Sequence, residues 1–403
     1  MTTQTHSESS TATRPGISER IRIIDTDSHV MEPPDLWTGR ISAAKWGDQI
    51  PHVRRDEKHG IDRWWIGERR GSAVANFATA NWREFPPSYP KLLEDADAAA
   101  WHPQRRLERL DEYGVHTQLL YPNILGFSSI YFFDLDPQLR YECVAAYNDW
   151  LVDFCSADPD RLIPLMWLPF WDTDLAVREM ERCLAKGHRG IIFPSNFEPI
   201  GMPLVYDEHW NPIWEAAQAN ELSINFHTGF QISEDEARSA IGYRASRADF
   251  AKMSSMFLMG NARTIADITL YGVCHRFPRL NFVSVESGFG WMPYFAEMLD
   301  WQWLNSGARD AFTEMKLMPS EYIKRQVYGT FWFESESVRR MGDLYQDNLM
   351  FETDFPHPTA LQPGPASYAD SPKVHIERSL EGIEEDILQK LLYKNAARVY
   401  HLG

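Results

Sequence analysis

The chain has 403 residues, 40 basic and 57 acidic side chains, a formal net charge of −17 and 44% hydrophobic residues. That hydrophobic share excludes wholesale disorder, and the charge excludes a general nucleic-acid-coating surface, which needs Lys and Arg to neutralise phosphates. Four cysteines (Cys143, Cys155, Cys183 and Cys274) without C-x-x-C spacing imply a reduced, cytoplasmic protein, and no apolar run reaches the roughly 18–20 residues that cross a bilayer.

Residues 1–20 open with a Ser/Thr-rich stretch lacking the apolar core of a secretory signal, and are expected to be a disordered leader. Residues 21–403 are expected to form one domain. Eight short apolar or β-branched runs follow: Ile21–Ile24, Thr117–Tyr121, Leu162–Leu168, Gly190–Phe193, Leu222–Phe226, Leu280–Val285, Val327–Phe333 and Asn348–Phe351. Several are continuous apolar runs, as parallel strands buried on both faces require. Helical patterns alternate with them, including Arg105–Tyr113 stopped by Gly114, Leu139–Phe154, and Asp172–Ala185 with an acidic start and a Lys186-Gly187 stop. Eight strands alternating with helices predict an α/β fold, best a (β/α)8 TIM barrel, with a doubly wound sheet as the alternative. Three insertions, about 39–102, 230–260 and 355–373, start at strand C-termini, the face where barrel enzymes build their sites, so they are expected to shape a pocket. Arg63-Trp64-Trp65-Ile66 reads as a hairpin strand in the first, whose tryptophans suit either a pocket lining or plain packing.

Polar residues punctuate the strand ends. The first run leads into Asp27-x-His29, the fifth into His227, the sixth into Glu286 and the eighth into Asp354, followed by Phe355-Pro356-His357. Residues i and i+2 of a strand point to one side, so Asp27 and His29 can face the barrel mouth together. Imidazoles and carboxylates converging from several strands make a site for a divalent transition metal (Zn, Fe or Mn) with no need for cysteine. Asp27, His29, His227, Asp354 and Glu286 are the candidate ligands. Three carboxylates with two histidines suit either two ions or one ion with Glu286 beside it.

With these residues in view, the chain resembles the amidohydrolase-related metal-dependent enzymes, in particular the branch of aminocarboxymuconate-semialdehyde decarboxylase. The resemblance rests on Asp25-Thr26-Asp27-Ser28-His29-Val30-Met31-Glu32-Pro33, on Arg106 to Val115, and on Tyr147-Asn148-Asp149-Trp150. It continues through Asp158 to Pro164, His227-Thr228-Gly229, Thr353 to His357 and Asn395-Ala396-Ala397-Arg398, nearly the whole chain. It implies a distorted (β/α)8 TIM barrel with a catalytic metal held by Asp27, His29, His227 and Asp354, and a homodimer. Two departures stand out. Asp27 replaces the first residue of the usual His-x-His or Glu-x-His pair, and Glu286-Ser287 occupies the place of the decarboxylases' strand-six acid/base histidine. The expected activity is therefore hydrolysis of a small acyl compound (amide, ester, lactone or thioester) by metal-activated water, with Asp354 moving the proton and Glu286 or His357 assisting. The alternative is non-oxidative decarboxylation of an aromatic or unsaturated carboxylic acid.

Overall fold

The computed structural model describes residues 15–232 and 246–403. Strand β1 (Ile24–His29) is followed by three antiparallel strands, β2 (His52–Asp56), β3 (Ile61–Ile66) and β4 (Arg69–Ala73), and then by β5 (Thr117–Tyr121). The remaining strands are β6 (Leu162–Pro164), β7 (Met166–Trp167), β8 (Gly190–Ile192), β9 (Ser223–His227), β10 (Phe282–Val285), β11 (Val327–Phe331) and β12 (Leu349–Phe351). Hydrogen bonding runs β1-β5-β6 and β7-β8-β9-β10-β11-β12, with every neighbouring pair parallel. Leu165 alone separates β6 from β7, so these two make one staved position, and the eight positions match the eight apolar runs.

Every residue of these barrel strands is buried, which is why several read as continuous apolar stretches; β1 is the exception, a buried polar strand that meets the first apolar run only at Ile24. The seam between β12 and β1 closes the ring. A parallel bridge joins Ser28 to Phe355, Asp354 N donates to Asp27 O at 2.9 Å, and His29 N donates to Phe355 O at 2.6 Å. Thr26 Oγ1 donates to Phe351 O across the same seam at 2.9 Å. The fold is the distorted (β/α)8 barrel expected.

Helix stops and starts follow the local chemistry. The helix Pro103–Tyr113 has Pro in its first turn and ends on Gly114 at φ 70°, a left-handed conformation that glycine adopts freely. Asp136 and Asp172 cap the helices Pro137–Cys155 and Thr173–Ala185 by accepting from Gln138 N and Leu175 N. Arg106, fully buried, donates to Ser28 Oγ, Gln118 Oε1, His29 O and Ala99 O, and so ties the helix Pro103–Tyr113 to the end of β1.

Three differences from the sequence reading concern the termini and insertions. Residues Ile17–Arg20, expected within a disordered leader, form a helical turn; Ile17 is buried and Arg20 pairs with Glu385 at 2.9 Å. Residues 1–14 lie outside the described residues, as do residues 233–245 of the second insertion. In the first insertion the expected hairpin strand is β3, but Trp64 turns inward onto Trp37 (ring centroids 5.0 Å, 73°) and packs the sheet instead of lining a pocket. The first and third insertions meet where Thr79 N and Ala80 N both donate to Pro356 O. Among the described residues no helix is long and apolar enough to cross a membrane, and all four cysteines are buried and free.

Candidate metal centre

The predicted residues gather at the C-terminal end of the barrel. Three groups have donor atoms within 4.8 Å of one another: Asp27 with His29 and His227, His29 with Asp354 and His357, and Asp27 with Glu286 and Asp354. Asp27 lies where the register between β1 and β5 shifts, between Asp25 and Ser28, so a bulge turns it toward the same mouth as His29. His227 is the last residue of β9, while Glu286 and Asp354 follow β10 and β12 in left-handed backbone, at φ 51° and 59°. Such a conformation costs a non-glycine residue free energy and concentrates at functional sites.

The hydrogen bonds of the two histidines determine what they offer. His29 Nδ1 lies 2.9 Å from Pro122 O and His227 Nδ1 lies 2.5 Å from Thr228 O. A carbonyl only accepts, so both Nδ1 atoms carry hydrogen, and in the neutral imidazoles both Nε2 atoms present lone pairs. These lone pairs face each other at 2.9 Å, an arrangement that repels unless a cation lies between them.

Asp27 completes the argument. Its Oδ1 is 3.5 Å from His29 Nε2 and its Oδ2 is 3.4 Å from His227 Nε2, both longer than an ordinary hydrogen bond. Both oxygens are buried without a hydrogen-bond partner. Uncompensated buried carboxylate is costly, and a divalent cation removes that cost. Burial, then the neighbouring His357 and His227, holds the His29 pKa well below the ordinary imidazole value. Burial raises that of Asp27, and burial with Asp354 and Asp27 raises that of Glu286 well above the usual carboxylate range. The donor set therefore fits a divalent metal ion, with Asp27, His29, His227 and Asp354 able to hold it.

Glu286 differs from these four. Its Oε1 already accepts from Thr359 Oγ1 at 3.1 Å, while Oε2 is 3.6 Å from His227 Nε2. The same Thr359 hydroxyl also contacts Asp354 Oδ2. His357 stacks on His29 (3.7 Å between centroids, 24°), with Nδ1 3.0 Å from Asp354 Oδ1 and Nε2 3.3 Å from Asn123 Oδ1. The strand-six position expected to matter in decarboxylases thus lacks its histidine, but the loop after β12 brings one into the same cluster.

Several neighbours escape a reading of strand ends. Glu352 is buried two residues before Asp354; its Oε2 accepts from Glu286 N at 3.3 Å and its Oε1 has no partner. The i, i+2 spacing from Asp354 was a usable signal for it. Asn123, Thr359 and the rings of Phe127, Phe77 and Phe230 carried no such signal, since loops bring them in.

A model of the amidohydrolase family matches residues 24–402. The chain is 24% identical over 286 residues to the gamma-resorcylate decarboxylase of Polaromonas sp. strain JS666, covering 68% of this chain and 81% of that protein. It is also 24% identical over 289 residues to the 2-amino-3-carboxymuconate-6-semialdehyde decarboxylase of Dictyostelium discoideum, covering 68% and 72%. An amidohydrolase structure from Mycobacterium avium subsp. paratuberculosis K-10 superposes with a TM-score of 0.72 at 20% identity, over 95% of this chain and 100% of that one. A dihydroxybenzoic acid decarboxylase from Polaromonas sp. JS666, with bound manganese and the inhibitor 2-nitroresorcinol, superposes with a TM-score of 0.59 at 17% identity, over 95% and 97%. The expectation of acyl hydrolysis is overturned by the two curated relatives, the gamma-resorcylate and 2-amino-3-carboxymuconate-6-semialdehyde decarboxylases. It had leaned on the absent strand-six histidine, and His357 shows that a histidine can reach the cluster from another loop. The chain, matched from the first strand of the barrel to its last helix, belongs to the amidohydrolase family.

Proposed function

We propose that this protein is a metal-dependent, non-oxidative decarboxylase of a small aromatic carboxylic acid, with manganese held by Asp27, His29, His227 and Asp354. The observation that carries the reading is the placement of His357, which faces one acceptor with each ring nitrogen, Asp354 Oδ1 and Asn123 Oδ1. An imidazole held by a contact at each ring nitrogen is positioned as an acid/base group, which decarboxylation needs. The mixed imidazole and carboxylate donors suit manganese, with zinc and iron as comparisons.

A divalent cation held by Asp27, His29, His227 and Asp354 would supply positive charge for the substrate's carboxylate and for the charge left as CO2 departs. The chain's residues do the rest. His357 Nδ1 delivers its proton to the ring carbon as the carbon–carbon bond breaks, so that carbon exchanges CO2 for hydrogen with no redox change. Asp354 and Asn123 keep the imidazole plane fixed. Phe127, 5.6 Å from His357, and Phe230, stacked on His227 at 4.2 Å, restrict water around the reacting carbon.

The test is to load the protein with manganese, zinc or iron and assay a panel of hydroxylated benzoic acids, gamma-resorcylate among them. In D2O the product should carry one deuterium at the vacated carbon. His357→Asn should lower kcat roughly 10²–10⁴-fold with metal content intact. Failure of every metal-loaded form to release CO2 from any aromatic acid would defeat the proposal.

A further inference from the structure

The metal cluster is closed on one side and barely open on the other. Asp27, His29 and Asp354 are fully buried, whereas small edges of Glu286, His227 and His357 (2–3%) remain accessible. Among the residues next to those edges, Phe77, Phe127, Pro358 and Thr359 are only partly buried. Phe127 is in ring contact with all three histidines. Its ring is 6.0 Å from His29 (29°, stacked), 6.0 Å from His227 and 5.6 Å from His357, and it touches Phe77 at 4.8 Å and Phe230 at 4.9 Å.

The backbone around Phe127 is built to keep the ring there. Its turn, Ile124–Phe127, follows β5, and the buried Glu32 carboxylate anchors it by accepting from Asn123 N at 2.9 Å and Ile124 N at 3.1 Å. Gly229, at φ 73°, leaves space for the ring, since a Cβ there would come within 2.7 Å of Phe127 Cε1. A flat ring, pinned from behind and not fully buried, offers a surface for another flat ring.

We propose that Phe127 is the specificity-determining residue of the site: the substrate's ring lies against it, which makes planar aromatic acids preferred over open-chain ones. This rests on the decarboxylase reading above. The experiment compares wild type, Phe127→Leu and Phe127→Tyr, each loaded with manganese and checked for equal metal content. Phe127→Leu should raise KM for the best aromatic acid roughly tenfold with kcat changed far less, leave KM for an open-chain unsaturated acid unchanged, and be rescued by Phe127→Tyr. Calorimetric titration with 2-nitroresorcinol, which requires no turnover, should show the same tenfold weakening in Phe127→Leu. Unchanged KM and unchanged 2-nitroresorcinol affinity in Phe127→Leu would overturn the role of Phe127 while leaving decarboxylation standing. Absence of CO2 release by wild type, with 2-nitroresorcinol still weakened by Phe127→Leu, would sink the decarboxylase reading and keep the ring-binding role.

Discussion

The opposed Nε2 atoms of His29 and His227 are the sharpest chemical statement in the molecule, because two carbonyl acceptors dictate the tautomers and leave both lone pairs aimed at one point. Asp27 and Glu286 are both buried carboxylates beside that point, yet they differ in what already satisfies them. Asp27 has no hydrogen-bond partner and Glu286 has Thr359. Asp27→Asn should therefore lose stoichiometric manganese, whereas Glu286→Gln should retain one equivalent per chain and lose turnover; elemental analysis of the purified variants distinguishes them. A drop from two equivalents to one in Glu286→Gln would instead place a second ion among Asp27, Glu286 and Asp354. At this scale the sequence was informative wherever the strands delivered the residue. Asp27, His29, His227, Glu286 and Asp354 were legible because each sits in or just beyond an apolar run, and the i, i+2 rule oriented the first pair. Asn123 and Thr359 were not, because nothing in a loop's composition tells where its side chains return.

At the scale of elements, the turn after β5 shows how a polar residue outside the reaction can shape the site. Glu32 is buried, and burial pushes its pKa up from 4.5 to about 7 in spite of the backbone N–H bonds it accepts. Its charged form is thus less favourable in the folded protein than in the unfolded chain. The sign follows: the stability contribution is fully present below pH 4.5 and is lost as pH rises through 7, by about 3 kcal/mol in all. Glu32→Gln should flatten the profile of unfolding free energy between pH 5 and 7, measured by denaturant titration, and speed amide exchange at Asn123 and Ile124. An unflattened profile would remove Glu32 as its source. The elements themselves were unevenly legible. Barrel strands announced themselves because both faces are buried, but β2 (His-Val-Arg-Arg-Asp) and β4 (Arg-Arg-Gly-Ser-Ala) are polar and partly exposed, so only their central partner β3 carried a strand signature. Trp64 likewise could not declare from sequence whether it faced substrate or sheet.

At the scale of the whole molecule, the barrel closes between its first strand and its last. The hydrogen bonds from Asp354 N to Asp27 O and from Thr353 N to Asp25 Oδ1, the latter 2.8 Å long, cross that seam. The proposed ligands straddle it too, with Asp27 and His29 on one side and Asp354 on the other. An ion held there stabilises the closed ring by binding the folded state alone, about 4 kcal/mol at a thousandfold excess over Kd. Removing the metal with a chelator should lower Tm by several degrees, and manganese should restore it; a Tm indifferent to chelation would mean that the ion does not bridge the seam. The same arrangement bears on how the protein is made. A ribosome builds the chain from Asp27 toward Asp354, so one half of the clasp waits, through the synthesis of every intervening strand, for the other half to emerge. Loading with metal is then a closing event of biogenesis, and a chain truncated before its last strand would leave Asp27 and His29 as donors without a completed site.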